Sequence, residues 1–79
     1  MDSFTVIPTS PAERIADLDE SILSARRLAW NASQMGNAAS FGRVDRILTG
    51  LYTERDAIVA AHPTADFEGR LIAARRRNH

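Results

Sequence analysis

The chain has no cysteine, and only four glycines and three prolines in 79 residues. It also has no lysine and no hydrophobic run long enough to cross a bilayer. Each gap excludes something. Without cysteine there is no disulfide, no thiolate nucleophile and no cysteine-held zinc. Without lysine there is no Schiff base and no lysine general base. All ten cations are arginines, which stay charged and grip carboxylate or phosphate in a planar fork. No stretch approaches the ~20 apolar residues of a membrane helix, and the N-terminus lacks the apolar core of a signal peptide. A soluble intracellular chain, without membrane contact, is therefore expected. The formal net charge is zero, which argues against a strongly basic nucleic-acid coat. With 44% hydrophobic residues, a chain of this length is expected to form a single small domain.

What is present is helical periodicity. Residues 1–9 read as an extended arm: Phe4, Thr5, Val6 and Ile7 are β-formers, and Pro8 biases Ile7 toward extended geometry. Such an arm adds a strand to a neighbour's sheet edge, or lays Phe4 and Val6 over a helical core. Ser10-Pro11-Ala12-Glu13 combines a serine cap, proline at the first helical position and glutamate three residues after the cap. The first helix is predicted over 11–34. Ile15, Leu18, Ile22, Ala25 and Ala29 form a 3-4 seam along it. Leu23 and Trp30, one heptad apart, form a second stripe about 100° around from that seam. Trp30 either covers the end of a small core or marks a subunit interface, because a helical hairpin has no second core to hide this stripe.

Met35-Gly36-Asn37 reads as a helix end with a left-handed residue, and Asn37 or Ser40 as the next cap. The second helix is predicted over 41–62. Phe41, Val44, Leu48, Leu51, Ile58 and His62 keep a heptad beat, and Ile47 widens it. Arg55 falls on the same beat, with its head expected to reach Asp56 or a partner. Gly50 marks either a close helix crossing opposite Ala25 or Ala29, the favoured reading, or a bend in the helix. Pro63 stops the helix. Thr64 or Asp66 is expected to cap a short third helix over 65–76, docking through Phe67 and Leu71. The expected fold is thus all-α: one helical domain spanning 1–79, with an antiparallel hairpin, a short C-terminal helix and a basic tail at 75–79.

No catalytic pattern emerges from these residues: no HExxH, no GxSxG and no phosphate-cradling glycine loop. His62 is expected to be structural, and the acids Asp17, Asp19 and Glu20 to form a solvated helix face. No catalytic residue, cofactor or metal site is expected. Charge is placed unevenly. Residues 1–40 hold five acids and three arginines, and residues 41–79 hold five acids and seven arginines. The excess lies in Arg70, Arg75, Arg76 and Arg77, suited to DNA phosphates or to an acidic partner. The candidate subunit or partner interface is Leu23, Trp30, Phe4, Val6, Phe67 and Leu71. Thin apolar seams in a chain this short also point to an oligomer or an obligate partner.

The order of these features resembles the phage head–tail joining proteins of the gpW type. "RIADLDESILSARRLA" stands in the place of the first helix and "FGRVDRILTGLYTERDAIVAA" in that of the second. "RLIAARRRNH" stands in the place of the arginine-bearing tail. The family's two-stranded hairpin between the helices has no counterpart in Gln34–Gly42, which holds little more than a loop. The resemblance implies a non-enzymatic virion component, present in the host cytoplasm during assembly. It would form a homo-oligomeric ring, a dodecamer on the family pattern, between the portal and the downstream connector or tail proteins, with DNA passing through the channel. Two other classes fit the residues: a small helical nucleic-acid-binding or packaging-related module, and a generic cytosolic adaptor.

Overall fold

The computed structural model describes residues 9–78, which form three helices: α1 (Pro11–Gln34), α2 (Ala38–Ala61) and α3 (Thr64–Arg77). The expected arm, with Phe4 and Val6, lies almost wholly outside the described residues. Among those described there is no strand, so the all-helical reading and the hairpin of two long helices stand.

Local chemistry sets most of the boundaries. Ser10 accepts a hydrogen bond from the Glu13 N–H at 3.1 Å while the Glu13 carboxylate reaches back to the Ser10 N–H, a reciprocal capping box that starts α1 at Pro11. At the other end Gly36 adopts φ 68°, the left-handed conformation in which only glycine lacks a Cβ penalty. That turn lets the Asn37 N–H reach the Ala32 carbonyl and the Gly36 N–H reach the Ser33 carbonyl, closing the helix. Asn37 then accepts from the Ser40 N–H at 3.1 Å. With the cap on Asn37, α2 starts at Ala38, three residues before the predicted Phe41, and ends at Ala61 with His62 as its cap.

α3 departs from expectation at its start. Pro63 occupies the cap position in a helical conformation, and neither Thr64 nor Asp66 makes a side-chain cap. Asp66 is drawn instead to arginines on α2 and α3.

α1 is the central helix. It packs against both α2 and α3, which scarcely meet each other. Four of its five predicted seam residues, Ile15, Leu18, Ile22 and Ala25, are buried, while Ala29 is half-buried, and Ala16, outside the predicted seam, is buried as well. α3 docks through small residues, Ala65, Gly69 and Ala73. It does not dock through Phe67, which is 67% exposed, or through Leu71 and Ala74, which also face outward. The close crossing is at Gly69: a Cβ there would sit 2.6 Å from Ile15 Cβ and 2.9 Å from the Ala12 carbonyl oxygen. Gly50, expected to mark a crossing, meets nothing within 4 Å and lies exposed within a continuous helix. The reason is register. Ala65, Gly69 and Ala73 put small residues every four positions on the side of α3 that meets α1, whereas Gly50 has Arg46 and Glu54 four residues to either side. The backbone of α3, and not that of α2 at Gly50, therefore comes down onto α1.

Candidate assembly surface

Three sets of ion pairs fasten the helices. Arg55, on the apolar beat of α2, extends its stem along the core edge and is only 17% exposed. Its Nε donates to Asp19 on α1 at 2.8 Å and its Nη2 to Asp66 on α3 at 2.6 Å, so one guanidinium joins all three helices. The expected partner, Asp56, is not the one used, because Asp56 lies on the exposed side of α2. The hydrogen bond to Asp19 is the main reason the Arg55 guanidinium is held even more firmly protonated than usual. The hydrogen bond from Arg55 likewise depresses the Asp66 carboxyl below the ordinary carboxylate range. Arg14 pairs with Glu54 across α1 and α2, its Nε donating at 2.7 Å. Arg76 donates to Asp17 at 2.7 Å and to Glu20 at 3.1 Å, and these bonds, Asp17 first, raise its pKa.

This network changes the reading of the C-terminal arginines. Arg70 is bound to Asp66 and Arg76 to α1, while Arg75 and Arg77 pair with no other described residue. The fold brings Arg77 beside cations that the sequence run does not include. Arg76, Arg77 and Arg27 share one groove with Leu23, and Arg77 and Arg26 share the next with Ile22 and Tyr52. The acids Asp17, Asp19 and Glu20 serve these intramolecular pairs. Among the described residues no three His, Asp or Glu are grouped to hold a metal ion.

Apolar surface is left open on two sides of the hairpin. No residue of α2 is buried; Val44, Leu48, Leu51 and Ile58 are half-buried, and His62 is exposed. α3 has only 14 residues, and its last turn reaches the level of Leu23 and Tyr52. Beyond that level the hairpin is two helices thick. On one side lie Leu23 and Trp30 of α1, the indole 65% exposed, with Phe41 and Tyr52 of α2. Five residues along each helix turn the surface by about 140°, and there Leu28 and Ile47 line a second groove at 58% and 57% exposure. Leu28 escaped the sequence reading because it falls outside the α1 seam. Its level match with Ile47 across an antiparallel pair was the available signal.

A cleft between the start of α1 and α3 brings His62, Glu68 and Arg75 to one rim. No hydrogen bond between these three orients them, so nothing there aligns a base with a nucleophile. No described helix is long and apolar enough to cross a membrane. Comparison with known protein families, characterised proteins and solved structures finds no match.

Proposed function

We propose that the chain is a non-catalytic structural component that works as an assembly of copies, a connector or adaptor of a phage or phage-like particle. The observation that supports self-assembly is the hairpin beyond α3: no residue of α2 is buried in the way the α1 seam is, and bulky apolar side chains stand on both of its sides. Exposed apolar surface on opposite sides of a thin element marks interaction surfaces. The particle context comes from the order of helices and arginine-bearing tail described above. In that setting the copies form a ring between portal and tail.

The nucleic-acid reading would use a different set of cations: four free arginines give a log–log salt slope of about −3.6, and the ion pairs leave Arg75 and Arg77 of the C-terminal run, with Arg26 and Arg27 beside Arg77. The test is retention of purified chain on a portal or tail fraction of phage particles without DNA, compared with retention on duplex DNA. The connector reading predicts the first. Retention on DNA alone, released by salt and lost when Arg75 and Arg77 become alanine, contradicts it.

A further inference from the structure

We infer that the end of α3 and the facing turn of α1 form a binding site for single-stranded nucleic acid, with Arg26, Arg27 and Arg77 on its phosphates and Tyr52 under a base. This goes beyond the assembly reading and does not depend on it.

The fold sorts the arginines by position. The described ion pairs use Arg14, Arg55, Arg70 and Arg76. Arg26, Arg27 and Arg77 pair with no other described residue, and the chain holds no acid between Glu20 and Asp45. Arg26 and Arg27 follow Leu23 by three and four residues, so they straddle it on the next turn of α1. The last turn of α3 brings Arg77 to the same place. It lines both grooves beside Leu23, one with Arg26 and Tyr52 and the other with Arg27. Together the two grooves are lined by five arginines against three acids. Of those acids, Asp19 and Glu20 are already bonded to Arg55 and Arg76, which leaves Asp56 on the α2 rim. The surplus is positive and consists of unpaired guanidinium forks.

The arrangement favours one kind of polyanion. Adjoining grooves that share Arg77 offer anion positions in succession, as a phosphodiester backbone requires. Tyr52, 43% exposed in the Arg26–Arg77 groove, adds a ring on which a base can stack. A duplex keeps its bases inside, out of reach of that ring, and an acidic peptide would use the cations without needing it. Trp30 lies seven residues, about 10 Å, further along α1, so the site adjoins the Trp30 face without including it.

The test is titration of a dye-labelled oligothymidylate with the full chain, read by fluorescence anisotropy over a salt series. Binding should saturate at low salt with a log–log slope of about −2.1, three contacts at about −0.7 each. Tyr52→Leu should weaken it by about fivefold to a hundredfold, the worth of a stacked base, while Tyr52→Phe should retain it. Changing Arg26 and Arg27 together to glutamine should cut the slope to about −0.7. Arg75→Gln lies on the cleft at the start of α1 and should change neither affinity nor slope. These positions are exposed, and circular dichroism checks that each variant keeps its helices. No saturable binding at low salt overturns the proposal, as does a Tyr52→Leu chain that binds like the wild type. A duplex that competes as well as unlabelled single strand also overturns it. Polyglutamate competing equally well would overturn it in favour of an acidic protein partner.

Discussion

Replacing Arg55 by methionine preserves most of the stem packing along the core edge but removes the charge between Asp19 and Asp66. Two part-buried carboxylates then lose the donor they share, with expected destabilisation of about 2–3 kcal/mol in a denaturant melt. The same pairing fixes the sign of an acid response. Asp66 is depressed in the folded chain, so it contributes stability that is present above its unfolded value near ~3.9 and lost as pH falls through the lower folded value. Melting temperature should drop on acidification through that range, and Asp66→Asn should flatten the drop. The two mid-helix glycines should respond oppositely to alanine. Gly69→Ala forces a methyl group against Ile15 and the Ala12 carbonyl and should cost about 1–3 kcal/mol, whereas Gly50→Ala meets open space and should gain about 0.5–1 kcal/mol. Arg55 was legible as a residue on the apolar beat. Its partners were not, because Asp19 and Asp66 lie 36 and 11 residues away and only the packed fold brings them together.

At the scale of elements, the caps were the most legible feature. Ser10 with Glu13, and Gly36 with Asn37, act through neighbours within a few residues, so local sequence specifies them nearly alone. Ser10→Ala should cost about 1 kcal/mol and fray the first turn of α1, seen as lost amide protection at Ile15 and its neighbours. The face of α3 was harder to read, because size and hydrophobicity point to Phe67 and Leu71 while the packed side is the Ala65–Gly69–Ala73 run. That run was visible as small residues four apart, the pattern that lets two helix backbones approach. Phe67→Ser should accordingly leave the melting temperature of the chain nearly unchanged, and a loss comparable to that of Gly69→Ala would contradict the docking described here.

The whole molecule is held together unevenly. Around the first half of α1 there are three helices, buried apolar side chains and all the interhelical ion pairs. Beyond Leu23 there are two helices and no buried residue other than Ala25 and Ala32. Heptad spacing revealed both apolar stripes but not which would stay uncovered, since that depends on where α3 ends. The central claim is that another chain covers the Trp30 face, and the chain's single tryptophan reports on that face directly. The decisive measurement is the emission maximum and iodide quenching of wild-type chain along a dilution series, with far-UV circular dichroism confirming that the helices persist. Covered Trp30 should emit toward the blue and resist iodide when concentrated, then shift red and become quenchable on dilution. A red, fully quenchable emission at every concentration, with helicity intact, would contradict the account.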